Sequence, residues 1–167
     1  CRDVNRVIFR LIGPDSDHDD LVQETFLRVL RNIGQVRECE KLGSWVVSVA
    51  VNVVLSELKR RKLRRWLYTE KSKVAPTEAY GDDHEARQLL RSVFQVLGSM
   101  PAAEQTIFAL RHLDERTMPE VAELTGCSVP TAKRSLAKAE RRFETLAARL
   151  SPNLLGKFSP VSLGGAL

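Results

Sequence analysis

Hydrophobic and polar positions follow helical rhythms in most of the chain, and the phase of each rhythm predicts an element. Val22, Phe26, Val29 and Ile33 recur at four-three-four spacing, the stripe of an amphipathic helix. Asp15, Asp17, Asp19 and Asp20 precede that stripe, where carboxylates suit the N-cap and the positive end of the helix dipole. Gln23 and Glu24 fall off the stripe and are left for a partner. In "SWVVSVAVNVVLSELKRRKLRRW", residues 44–66, Ser44, Ser48, Asn52 and Ser56 recur every four residues and Arg60 continues the row. On a helix they form one polar stripe, with Trp45, Val46, Val49, Val53 and Leu58 available to a core. On a strand they would share a face with Val46, Ala50 and Val54, and the spacing would mean nothing. The valines lower intrinsic helix propensity, and burial overrides it. The apolar part is shorter than the roughly 20 residues of a bilayer span, so no membrane insertion is expected. "VNRVIFRLIG" in front reads as a helix stopping at Gly13–Pro14.

Residues 67–87 contain Pro76 and Gly81 and no sustained apolar period, the pattern of a flexible linker. Beyond it, "RQLLRSVFQVL" and "PAAEQTIFALRHL" supply two supporting helices, followed by "TMPEVAELTGCSVPTAKRSLAKAERRF". Thr117 and Glu120 have capping-box spacing, and Pro119 is tolerated in a first turn. Val121, Ala122 and Leu124 supply apolar faces, and Gly126 admits a left-handed turn. Ser128 caps a further helix whose Val129, Ala132 and Leu136 point inward. A short helix, a Gly-containing turn and a second helix make a helix-turn-helix. Thr131, Lys133 and Arg134 sit in the N-terminal half of the second helix, the part that reaches base edges in this motif, and Lys138 extends its basic side. The tail, residues 151–167, has two prolines and three glycines and reads as a flexible end. Its Leu154, Leu155, Phe158 and Val161 leave room for packing on the body or for binding a regulator. The fold class expected is all-α, with two small helical domains (1–66 and 88–150) joined by a flexible linker, the C-terminal one a helix-turn-helix.

Charge sharpens this picture through its distribution. The formal net charge of the 167 residues is +5. Residues 41–75 carry nine basic and two acidic side chains, net +7, and residues 128–167 carry seven and two, net +5. Residues 1–40 carry six and eight, net −2, and residues 76–127 four and nine, net −5. Two separate cationic islands are two candidate polyanion contacts, and the acidic segments are free for other partners.

These motifs together resemble the small two-domain extracytoplasmic-function sigma factors of bacterial RNA polymerase. "DHDDLVQETFLRVLRNI" resembles the family's polymerase-binding helix, "GSWVVSVAVNVVLSELKRRKLRR" the helix after it, and "MPAAEQTIFALRHLDERTMPEVAELTGCSVPTAKRSLAKAERRF" its promoter-reading domain. The resemblance covers residues 1–66 and 88–147. It implies a transcription initiation factor whose N-terminal domain docks on core RNA polymerase through Asp20, Gln23 and Glu24. By position, Asn52, Lys59, Arg60 and Arg61 would then contact the −10 element of promoter DNA. Thr131, Lys133, Arg134 and Lys138 would serve the −35 element. An anti-sigma factor is a further candidate partner. The family's usual aromatic and arginines after the Trp are replaced by Val47, Ser48 and Val51, which leaves the base-trapping side chain of this helix open, with Trp45 expected in the core. The usual Lys-Ser-Arg of the recognition helix stands as Lys133, Arg134, Ser135.

Other readings are weaker. An EF-hand counted from Asp15 puts Asp20 where Gly is needed and Phe26 where the bidentate Glu belongs. His18, His84 and His112 are scattered, and no His, Cys or carboxylate set converges, so neither a metal, a cofactor nor an enzyme is expected; the specific rival there is a nuclease built on the aspartates. Cys39 and Cys127 stand without C-x-x-C spacing, which points to a reducing cytoplasm. The chain opens at Cys1 with no signal-peptide pattern before it, and its true start is expected upstream. A stand-alone helix-turn-helix regulator is the alternative function, disfavoured by the acidic helix in front of the first cationic island.

Overall fold

Gly13 ends the first helix for a steric reason. The computed structural model describes residues 2–36, 38–68 and 84–154, and there α1 (Arg2–Ile12) closes with Gly13 at φ +73°. The Gly13 N–H donates to the Phe9 carbonyl at 2.7 Å, satisfying one of the orphan carbonyls at a helix end. A Cβ on Gly13 would stand 2.4 Å from the ring of Phe94, a residue of the C-terminal half. Phe94 also meets Phe9 edge-on, with centroids 6.3 Å apart.

α2 (His18–Asn32) has its aspartates where expected and its apolar stripe one step earlier than expected. Leu21, Thr25 and Val29 are the buried residues, Val22 and Phe26 pack at the core's edge, and Ile33 is 46% exposed. The buried Thr25 hydroxyl is satisfied by donating to the Leu21 carbonyl at 2.7 Å. Asp17 is the N-cap residue but makes no side-chain cap bond. Its neighbour Asp15 accepts from the Asp17 N–H at 2.9 Å, and both carboxylates turn to a partner on the next helix.

α3 (Leu42–Tyr68) is helical for 27 residues. By length and composition, Leu42–Leu67 would be enough to cross a membrane, so the length argument against a span does not hold. The apolar side of α3 packs instead: Val47, Ala50, Val51, Val53, Val54 and Leu58 are buried. Of the core positions expected from the polar stripe, Val53 and Leu58 are buried, Val46 and Val49 pack at the edge, and Trp45 is half-buried outside the main cluster. The reason is that α3 is covered from two sides, by α1 and α2 and by helices of the second half, so a core wider than one stripe forms around it.

Of the linker expected at 67–87, Leu67 and Tyr68 close α3 and His84 opens α4 (His84–Gly98); residues 69–83 lie outside the described residues. α5 (Ala102–His112), α6 (Met118–Thr125) and α7 (Val129–Leu150) complete an architecture without strands among the described residues. Phe108 of α5 stacks on Phe143 of α7 with centroids 4.7 Å apart. The tail is packed at its start, since Pro152–Leu154 forms a 3-10 turn that buries Leu154; Leu155, Phe158 and Val161 lie outside the described residues.

The two halves share one interior, in which α1 and α3 pack on α5 and α3 packs on α6. Gln105 Nε2 donates to the Leu11 carbonyl at 3.2 Å across the junction. The Asp114 carboxylate, 1% exposed, sits between Arg10 Nη1 at 2.9 Å and Arg116 Nε at 2.6 Å. Gly13→Ala should therefore cost about 2–4 kcal/mol, from left-handed strain plus overpacking against Phe94. Gly126→Ala, also at positive φ but with open space around it, should cost about 1–2 kcal/mol from strain alone. Urea unfolding of the two variants measures the difference.

Candidate functional site

The polar row of α3 is a ladder of side chains bonded to their own helix. Ser48 Oγ donates to the Ser44 carbonyl at 3.1 Å, Asn52 Nδ2 to Ser48 at 2.9 Å and Ser56 Oγ to Asn52 at 2.8 Å. Asn52 and Ser56 are exposed, and so is Lys59 one turn on. The cations that follow divide by direction. Arg61, 19% exposed, points inward and grips Asp15 through both terminal nitrogens, Nη1 at 2.6 Å and Nη2 at 2.9 Å, with Asp17 at 2.8 Å and Glu57 at 3.1 Å. Burial opposes that charge, but the carboxylates outweigh it and the guanidinium pKa is raised. Arg61, expected as a DNA contact, is thus engaged as a clasp between the start of α2 and α3. Arg60, 65% exposed, pairs with Glu57 at 2.7 Å.

Lys62 and Arg65 turn to the other half, donating to the Gly98 carbonyl at 3.3 Å and 3.2 Å, where the C-terminal end of α4 attracts cations. Burial pulls the Lys62 pKa down to about 8, the charge of Arg65 adds to this, and Glu104 opposes it.

The helix-turn-helix is assembled by local bonds. Thr117 Oγ1 accepts from the Glu120 N–H at 3.5 Å while Glu120 Oε2 accepts from the Thr117 N–H at 2.8 Å, closing the capping box. The Thr117 hydroxyl also donates to Glu120 Oε2 at 2.6 Å, and this bond, with the one from the Thr117 N–H, holds the Glu120 carboxyl below the usual carboxylate range. Gly126 adopts φ +67°, the Cys127 N–H reaches the Ala122 carbonyl at 3.0 Å and the Gly126 N–H reaches Glu123 at 3.2 Å, a Schellman closure. Ser128 caps α7, and Ala132 is fully buried, so the recognition helix approaches its neighbours closely. Lys133, Arg134 and Lys138 are exposed. Thr131 is half-buried, with its hydroxyl 2.8 Å from Ser128 Oγ and 3.5 Å from Arg134 Nη2. No hydrogen bond or ion pair joins the α3 candidates to the α7 candidates among the described residues.

On α2, Asp20 and Gln23 are exposed, and the half-buried Glu24 pairs with Arg28 at 2.6 Å. Sequence reasoning missed their apolar neighbours. Leu27 is 47% and Leu30 68% exposed, and with Asp20 and Gln23 they follow three-four-three spacing on one helix face. The available signal was that both leucines lie off the buried stripe.

Comparison with known proteins covers both halves of the chain. Residues 2–64 match the family model described as Sigma-70 region 2, and residues 90–143 match Sigma-70, region 4. The ferric citrate uptake sigma factor FecI of Escherichia coli is 30% identical over 129 residues, 74% of this chain and 72% of FecI. The chain belongs to the extracytoplasmic-function sigma factors. The RNA polymerase sigma factor SigV of Bacillus subtilis is 26% identical over 138 residues, covering 83% of this chain and 80% of SigV. In fold, this sigma factor is similar to RpoE of Bartonella quintana, solved with the anti-sigma factor NepR, at a TM-score of 0.63 and 18% identity, covering 87% of this chain and 89% of that one. It is a regulatory protein that binds core RNA polymerase and directs it to promoter DNA for transcription initiation.

Two outcomes follow for the sigma factor. Arg61→Met leaves Asp15 and Asp17 without their guanidinium and should cost about 2–4 kcal/mol in urea unfolding, the penalty of uncompensated, partly buried charge. Because the folded-state pKa of Lys62 lies below its ordinary value near 10.4, the unfolded chain binds the extra proton between about pH 8 and 10.4. Lys62 therefore makes stability rise with pH in that window, and Lys62→Met should remove this increment when the two pH profiles are subtracted.

Proposed function

We propose that this sigma factor divides its work among three surfaces: the exposed face of α2 for core polymerase, the outward face of α3 for the −10 element, and the N-terminal half of α7 for the −35 element. Residues 1–66 would then act as the polymerase-docking and −10 half and residues 88–150 as the −35 half. The observation that carries this reading is the pairing, in one chain, of two exposed cationic helix faces with a separate acidic and apolar face. A regulator needing only DNA has no use for the third.

On α2, Leu27 and Leu30 supply the apolar centre of the docking face, with Asp20 and Gln23 beside them and Glu24 on its flank. Aromatic or aliphatic centres with polar rims are how protein interfaces concentrate affinity. On α3, Asn52, Lys59 and Arg60 form the DNA contact, and Arg61 positions them by holding α3 against α2. On α7, Lys133 and Arg134 are the candidates for base edges, with Arg suited to bidentate contact with guanine, and Lys138 a phosphate contact. Thr131 contributes through its shared hydroxyl with Ser128 and Arg134. The protein catalyses no reaction of its own, works in the cytoplasm without inserting in a membrane, and has an anti-sigma factor as a candidate regulator. RpoE of Bartonella quintana, the fold relative above, was solved with such a partner.

Run-off transcription with core polymerase across a promoter library tests the whole reading: initiation at a defined promoter class is expected, and none would overturn it. Leu30→Glu should weaken capture of core polymerase at least about tenfold, the effect of losing one interface hot spot, while leaving the circular dichroism spectrum unchanged. Lys138→Ala should lower the slope of log K against log salt for promoter binding by about 0.9, the signature of one phosphate contact.

A further inference from the structure

The two halves that carry the DNA faces are folded onto one interior, and that packing limits their reach. By their names the −10 and −35 elements lie about 25 base pairs apart, which at 3.4 Å each is about 85 Å of duplex. A compact chain of 167 residues has a radius of gyration of about 15 Å and is about 40 Å across. Its longest helix, α3, with 27 residues at about 1.5 Å each, is itself about 40 Å long. The intervening duplex is about one-sixth of a persistence length, too stiff to fold back onto so small a body. With its halves packed in this way, one molecule reaches one element or the other.

The seam between the halves has the composition of a contact built to part. Contacts between units that move relative to one another are more polar than permanent ones. Gln105, 3% exposed, donates across the seam to the Leu11 carbonyl, while its own Oε1 is buried without a hydrogen-bond partner among the described residues. Such an orphaned acceptor subtracts from the stability of the closed arrangement and regains water once the seam opens. Lys62 and Arg65 share a single acceptor, the Gly98 carbonyl, and burial works against the Lys62 charge there. Against these costs stands one strong tie. The Asp114 carboxylate, 1% exposed, takes Arg10 Nη1 at 2.9 Å from across the seam and Arg116 Nε at 2.6 Å from its own half.

Resting on the reading above, we propose that this seam is an autoinhibitory latch with the Arg10–Asp114 pair as its bolt. The closed chain withholds its two DNA faces from joint use, and core polymerase selects chains in which the seam has parted. Opening is orderly because Arg116 stays with Asp114, so the second half keeps its carboxylate paired and only Arg10 exchanges its partner for water.

Apparent affinity for core polymerase is then the intrinsic affinity reduced by the fraction of open chains. Arg10→Met deprives Asp114 of a guanidinium only in the closed form, so it should raise the association constant of the full chain for core polymerase about tenfold. Asp114→Asn should act in the same direction, and the two substitutions together should add little to either alone, since they remove one contact. A contact with a merely structural role would lower the constant; that result, or an unchanged constant in both variants, overturns the latch. A second measurement leaves the seam intact. Energy transfer between dyes attached in place of Arg2 and Glu144, exposed positions on α1 and α7, should be high in the free chain and largely lost in holoenzyme on promoter DNA. Low transfer in the free chain, or unchanged transfer in the holoenzyme, contradicts the proposal. Run-off transcription by the wild type separates two failures: initiation with no gain of affinity in either variant removes the latch alone, whereas no initiation removes the division of surfaces on which it rests.

Discussion

The packing of α1 and α3 against the second half of the chain governs the other arrangements in this molecule. Gly13 lets the backbone come within contact of Phe94, and the buried Asp114 carboxylate requires both Arg10 and Arg116 around it. Taking either guanidinium away would leave a charge in a nearly solvent-free place, the situation in which a buried ion pair matters most. With that junction formed, α3 becomes a wall common to both halves, and its valines are buried on two sides despite their modest helix propensity.

The same junction redistributes the first cationic island. Six of the seven residues from Lys59 to Arg65 are basic. Arg61 is held by carboxylates from the start of α2, and Lys62 and Arg65 by a carbonyl at the end of α4. Lys59, Arg60 and Arg64 remain on accessible positions. A net charge of +7 over residues 41–75 therefore overstates what is available to a polyanion in this arrangement, and direction matters more than count. Glu57, buried between Arg60, Arg61 and Arg64, illustrates the point, since one carboxylate organises three guanidinium groups.

The helix-turn-helix was the most legible part of the chain because its determinants are short-range. Thr117 with Glu120, Gly126 with Glu123 and Ser128 with Thr131 each act across three residues, so their spacing carries the geometry. α2 and α3 were legible as helices but not in phase. The stripe on α2 starts at Leu21 and not Val22, and Trp45 is half-buried where a core place was expected. A stripe read from sequence assumes one core on one side, whereas α3 has neighbours on both. The exposed Leu27, Leu30, Leu63 and Trp66 were missed for the same reason, because an apolar residue in a helical run is assigned to the interior until the interior is seen to be full.

The amino-acid sequence by itself determined the helices, their stops and caps, the two cationic segments and the family, because each depends on residues a few positions apart or on motifs in a fixed order. Tertiary structure alone decided which cations stay free and which apolar side chains remain outside. Arg61 meets Asp15 across 46 residues and Arg10 meets Asp114 across 104, and no local pattern encodes a contact at such separation. Burial and ion pairing are properties of neighbours in space, so the surfaces left for polymerase and DNA emerge only once the interior has been filled.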